Sequence, residues 1–184
     1  EAMQLLMGYN SFNGYIWNKL FDLQLIREND IRFHADYPAC EDTMFVGSYL
    51  YHCSRVCVTE ECLYCYRQVS GGANRGRYSG RKAYDPKWMS VFEMTEYMAD
   101  LYKDDAVTAA CRLHEVREAG IVLRSMEAAG YHGADHARLK GILRRGAGLF
   151  FRDENSGRSQ KLSVLLSCIS PKLELAVWKL RNRK

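Results

Sequence analysis

Apolar positions follow two regimes along the chain, a mixed one before residue 68 and a helical one after residue 84. EAMQLLM at 1–7 reads as an amphipathic helix ended by Gly8, and a polar loop over 9–14 leads to an apolar cluster, Tyr15, Ile16, Trp17, Leu20 and Phe21. Asp22 is placed to cap a short helix over 23–28 that stops at Asn29-Asp30, and Ile31-Arg32-Phe33 follows as an extended segment. Beyond the turn at Tyr37-Pro38-Ala39, Met44, Phe45, Tyr49, Leu50 and Cys53 recur at helical steps, which predicts a helix with one buried face. Residues 55–58 and 62–67 read as two short strands. Alternation in the second puts Tyr64 and Tyr66 on one face, with Leu63, Cys65 and Arg67 on the other.

From Asp85 the period becomes 3.6. Asp85-Pro86 is a cap followed by proline at the first helical position, and Trp88, Val91, Phe92, Thr95, Met98, Ala99 and Tyr102 mark one face. Asp104-Asp105 predicts the start of the next helix, which runs to Gly130 with a break at Gly120. Asp135 is expected to cap a short helix that Gly146 and Gly148 interrupt, and the last two helices are expected over 160–169 and 171–182, parted by Ser170-Pro171. His132 and His136 are four apart, the spacing of two metal ligands on one helical turn. Gly130 and Gly133 argue against such a turn beneath both.

A length of 184 residues, 47% hydrophobic and 26% charged, fits one ordinary globular domain with a helical appendage. No apolar run approaches the roughly 18–20 residues of a membrane span. The start, EAMQLLMGYN, has no basic segment ahead of its apolar run and begins with Glu, so the expectation is a piece of a longer protein without a signal peptide. Charge is uneven: from Leu139 on there are 11 Lys/Arg against 3 Asp/Glu, a net +8, which leaves −4 for residues 1–138. Such a tail points to an anionic partner. Seven cysteines cannot all pair within the chain, and reduced thiols in the cytoplasm are expected. Cys53-x3-Cys57-x4-Cys62-x2-Cys65 invites a zinc reading, but Cys62 and Cys65 lie in a predicted strand, where residues three apart point to opposite faces. The glycine-rich basic stretch 70–82 lacks the phosphate-loop spacing and reads as a mobile loop or as a lid carrying Arg75, Arg77, Arg81 and Lys82.

Glu41-Asp42 stands between the turn and the helix that follows. Asp42 lies at the helix start, where unpaired amides and the positive dipole end favour an ionised carboxylate, and such a group serves either as a cap or as a general base. WNKLF at 17–21, IRF at 31–33, CED at 40–42 and LYCYR at 63–67 resemble, in order and spacing, the second half of family 2 glycosyltransferases. The likeness is specific over about residues 10–70.

That resemblance implies an α/β fold, the C-terminal half of a GT-A (Rossmann-like) domain over 1–82, followed by a helical region over 83–184. It implies transfer of a hexose, with inversion, from a nucleoside-diphosphate sugar to the hydroxyl of a glycan or lipid-linked acceptor. Asp42 inherits the role of base, with Glu41, Lys19, Tyr66 and Arg67 shaping the substrate site. The family's Asp-x-Asp motif is not in this sequence, so the ligands of the implied Mg or Mn ion are expected elsewhere, and the chain alone is expected to be inactive. Residues 171–184 set Leu173, Ala176, Val177 and Leu180 on one helical face beside five basic residues, a stripe expected either to pack on the protein with its basic end solvated or to make peripheral contact with the inner face of the cytoplasmic membrane. Two other classes fit parts of the chain: a non-catalytic module whose basic tail binds nucleic acid or an anionic membrane, and a zinc-stabilised interaction domain. Neither explains the ordered motif series, and the transferase reading has no nucleic-acid partner.

Overall fold

The structure is a computed structural model that describes residues 1–8, 13–35, 37–67 and 84–182. Among these residues every regular element is helical: α1 (Ala2–Met7), α2 (Leu23–Glu28), α3 (Glu41–His52), α4 (Ser90–Tyr102, entered through a 3-10 turn at Pro86–Met89), α5 (Asp105–Ala129), α6 (Ala134–Arg152), α7 (Arg158–Ile169) and α8 (Pro171–Arg181). The expected α/β fold, half of a GT-A domain, is therefore corrected to an all-helical one.

The correction falls on residues 55–67. Neither predicted strand forms, and Val56, Val58 and Leu63 are exposed. A strand exists only where a neighbour takes its N–H and C=O groups, and a lone short pair is marginal in water. Here the backbone turns to local partners instead. The Leu63 N–H donates to the Glu61 carbonyl at 3.0 Å, and the Glu61 N–H to the Thr59 hydroxyl at 3.2 Å. The basic stretch 70–82, read as a loop or lid, lies outside the described residues.

Two compact units result. The first joins Glu1–Arg67 to Lys87–His114, and the second is chiefly Glu115–Lys184, so α5 contributes to both. In the first, α3 packs against α1, α2 and α4. Ile31, Phe45 and Tyr49 form a small core with Ile16, Phe21, Leu25 and Ile26 around it, and Phe21 meets Phe45 and Tyr49 edge-on. The capping expected of Asp22 is present, since its carboxylate accepts the Gln24 N–H at 2.8 Å. The Asp22 N–H in turn donates to the Tyr49 hydroxyl at 2.9 Å, which holds α2 onto α3. On α4 the expected face is inward, with Trp88, Val91, Phe92, Thr95 and Met98 buried. Tyr102 donates to the Gly47 carbonyl at 2.8 Å, and burial pushes its phenol far above the usual range, so it remains a donor.

In the second unit α6 packs on α7 and α7 on α8. Asp104 starts α5 as expected, accepting the Val107 N–H at 2.9 Å, but α5 does not break at Gly120 and α6 does not break at Gly146 or Gly148. At Gly146 the reason is close approach: a Cβ there would collide with Val116, so the glycine lets α6 lie against α5. α8 starts as its sequence implies, with Ser170 accepting the Leu173 N–H and Pro171 at the first position. Its buried side is a different one from that expected, however. Pro171, Glu174 and Leu175 face the protein, while Leu173 and Leu180 are exposed. Glu174 is drawn inward by Arg124 of α5, 2.8 Å away, whose guanidinium also lies over the Trp178 ring at 5.0 Å.

Candidate functional site

The site grows from the turn that precedes α2. The Lys19 N–H closes a four-residue turn on the Ile16 carbonyl at 3.1 Å, and the Lys19 ammonium gathers that turn from inside. It donates to the carbonyls of Asn13 (2.5 Å) and Tyr15 (2.7 Å) and to the side chain of Asn18 (2.8 Å). An ammonium has three donors, and three acceptors are enough to engage them. Lys19 thus acts first as a clasp that shapes the turn, and to touch a phosphate it must release an acceptor.

The clasped turn leans on the start of α3. Cys40, not Asp42, is the N-cap residue; it has left-handed backbone (φ 70°) and makes no side-chain cap bond. Asp42 is the second residue of the helix, and its carboxylate takes a backbone hydrogen bond from Ile16. Its environment differs from the one expected of an exposed helix start. Burial, then the charge of Glu41, raise its pKa above the ordinary carboxylate value, against the opposing pull of the Ile16 amide and the Lys19 charge. Burial likewise lowers the Lys19 pKa, and Asp42 counters part of that shift. A partly desolvated carboxylate beside a partly desolvated ammonium is what the local fold builds here.

Next to it stands an aromatic stack. Trp17, in the same turn, lies 5.4 Å from the Tyr15 ring, 5.0 Å from Tyr64 and 4.9 Å from Tyr66, all near parallel. Tyr64 and Tyr66 do share a side, as alternation predicts, although no strand holds them. Tyr15, Tyr64 and Tyr66 leave about half of their surface in solvent. Glu41 is the first residue of α3, so the structure groups Glu41, Asp42 and Lys19 and places Tyr66 on the same turn through Trp17. Arg67 is exposed, outside any regular element, and is not drawn into this group.

A second cluster was only partly legible in the sequence, which offered His132 and His136 but not Glu127. His132 precedes α6 and His136 lies in its first turn, so no single helical turn carries both, as the flanking glycines imply. Both nevertheless turn ring nitrogens toward Glu127 of α5: His136 Nε2 is 2.8 Å and His132 Nδ1 3.9 Å from the same carboxylate oxygen. The signal available was Glu127 five residues before His132 with Gly130 between. Gly130 has φ +69°, the left-handed turn that ends α5 and sends the chain back on itself. Among the described residues Cys53, Cys57, Cys62 and Cys65 form no such group, and all four are free thiols.

No described helix is long and apolar enough to cross a membrane. Comparison with family models, with curated proteins and with solved structures gives no match to this chain.

Proposed function

We propose that the chain takes part in glycosyl transfer, with Asp42 as the base that accepts the proton of an acceptor hydroxyl. The observation that carries this reading is the environment of Asp42, a carboxylate with a raised pKa at a fixed point beside an exposed aromatic stack. A raised pKa makes a carboxylate a better proton acceptor at working pH. Flat, half-exposed rings suit the apolar face of a sugar. In the step, the hydroxyl proton moves to an Asp42 carboxylate oxygen as the acceptor oxygen bonds to the anomeric carbon of the donor. The bond from that carbon to the diphosphate breaks, the electron pair leaves with the nucleoside diphosphate, and in-line attack inverts the centre. Trp17, Tyr64 and Tyr66 hold the acceptor, and burial, helped by the charge of Glu41, keeps the Asp42 pKa high.

The Mg or Mn ion that the resemblance implies needs several oxygen ligands. At this site Glu41 and Asp42 stand beside the Lys19 ammonium, a donor set that does not fit such an ion, and no step here depends on one. The test is saccharide binding by the full chain, followed by ligand-observed NMR with a panel of neutral oligosaccharides. Binding that is lost in Trp17→Ala supports the reading. No binding across the panel, or binding indifferent to Trp17→Ala, would refute it.

A second reading rests on α8. Leu173 and Leu180 are exposed between Lys172, Lys179 and Arg181, and on α7 Leu162, Leu165 and Ile169 are exposed as well. Apolar side chains among basic ones suit the surface of an anionic membrane, where each basic residue adds about 1 kcal/mol. Co-sedimentation with anionic but not neutral vesicles, weakened by salt and by Leu173→Ser/Leu180→Ser, is the expected result. Equal recovery in the supernatant with both lipids refutes it.

A further inference from the structure

We propose that Glu127, His132 and His136 form a binding site for a divalent transition metal of the zinc class, with an anion at its open coordination position. The three ligand atoms lie within 4.8 Å of one another, and two imidazoles point at one carboxylate oxygen. That convergence has a definite origin in the fold. α5 ends at Ala129, the left-handed Gly130 reverses the chain, and α6 begins at Ala134, so the first turn of α6 comes back beside the last turn of α5. The reversal is pinned: the Tyr131 N–H donates to the Met126 carbonyl at 2.9 Å, and Tyr84 packs on Tyr131 while hydrogen-bonding Asp135 at 3.2 Å.

The ligand chemistry selects the ion. Two imidazoles and one carboxylate suit zinc and its neighbours, and are poor for Mg or Ca, which take oxygen alone. Bonds of about 2.0–2.1 Å at tetrahedral angles set ligand atoms about 3.3 Å apart. His136 and Glu127 are closer than that and His132 is farther, so the ion needs a small opening of one pair and a small closure of the other. The side chains are built for it. Glu127 is fixed, with 4% of its side chain exposed, whereas His132 is 50% exposed on a non-helical turn and can swing.

Three protein ligands leave one tetrahedral position open. The groove that all three line has a volume of about 340 Å³ and is walled by Lys140, one turn beyond His136, and by Lys172 with Ser170 and Pro171 at the start of α8. Two ammonium groups oppose a bare cation but favour a metal that carries an anion, such as a phosphate ester or a carboxylate, in its fourth position.

Cobalt(II) titration of the full chain, read in the visible spectrum, tests the proposal. One equivalent should give the intense bands of a tetrahedral site without sulfur-to-metal charge transfer, which sets this site apart from the seven cysteines. His132→Ala, a change at a half-exposed residue, should weaken binding at least about tenfold, since even indirect ligand contacts are worth 10–100-fold. Its circular dichroism should match that of the unaltered chain. Inorganic phosphate should shift the visible bands. No tetrahedral spectrum, a thiolate spectrum alone, or an affinity unchanged by His132→Ala would overturn the metal site; bands indifferent to phosphate would overturn the anion.

Discussion

Replacing Arg124 with Met should destabilise the chain by about 3–5 kcal/mol, the cost of leaving a buried charge without its partner. Glu174 is the group left behind. Its side chain is 3% exposed and that of Arg124 10%, so water cannot take over the role of the guanidinium. One Glu174 carboxylate oxygen accepts from Arg124 at 2.8 Å and from the Ser163 hydroxyl at 2.7 Å, and the other has no hydrogen-bond partner among the described residues. After the substitution a carboxylate charge rests on one hydroxyl. Loss of the contact with the Trp178 ring adds about 0.5–1 kcal/mol, while the methionine stem keeps most of the packing volume. With a urea slope of about 2 kcal/mol/M, a loss of about 4 kcal/mol lowers the unfolding midpoint by about 2 M, read by far-ultraviolet circular dichroism. The double variant Arg124→Met/Glu174→Leu should recover most of that loss, because it removes both charges together. A single variant that costs less than about 1 kcal/mol would mean that the pair is hydrated. Additive losses in the double variant would mean that the two charges do not interact. Either result refutes this account of how α8 is held, and with it the placement of Lys172 and Pro171 on the wall of the groove.

Asp42→Asn should lower transfer by roughly 10²–10⁴-fold wherever activity is reconstituted, while leaving the fold intact. Its effect on stability has a definite sign: the folded pKa is raised, so Asp42 supports folding while protonated, below about pH 3.9, and that support is lost as pH rises through the folded value. The variant should therefore be no less stable at pH 7 and show a flatter acid profile in denaturant titrations; a clear loss of stability at pH 7 would make Asp42 a structural residue. Gly14→Ala should cost about 1–3 kcal/mol, since its Cβ would fall 2.9 Å from the Thr43 Cα and push the turn off α3. An unchanged thermal midpoint would show that the turn is not seated there. Timed alkylation with mass spectrometry should label exposed Cys57, Cys62 and Cys65 before Cys168, whose pKa burial raises, and buried Cys111 last; early labelling of Cys168 would contradict its placement.

Legibility from sequence tracked how local each signal was. Asp22, Asp104 and Ser170-Pro171 mark helix starts because a cap acts on amides two or three residues away, and α2, α5 and α8 begin where those residues say. The strands at 55–58 and 62–67 failed because alternation records which faces a segment could bury, not whether a neighbour exists to pair with it. Glycine misled in one place and not in another. Gly146 reads as a break but is the place where Val116 approaches α6, whereas Gly130 does end its helix, with a left-handed backbone. α8 shows the deeper limit. Hydropathy grouped Leu173, Ala176, Val177 and Leu180 as the face to bury against the protein or a membrane, yet Glu174 and Leu175 are the buried pair, because Arg124, fifty residues earlier, makes a buried carboxylate tolerable. Glu127 escaped for the same reason. Next to Ala128-Ala129 at the end of α5 it has the look of a surface residue, and it gains two imidazole partners only through the reversal at Gly130. The glycines that argued against His132 and His136 as ligands on one helical turn are thus the residues that fold both back onto Glu127. Spacing excluded one geometry for a metal and was blind to another, because the third ligand lies across a turn and not along a helix.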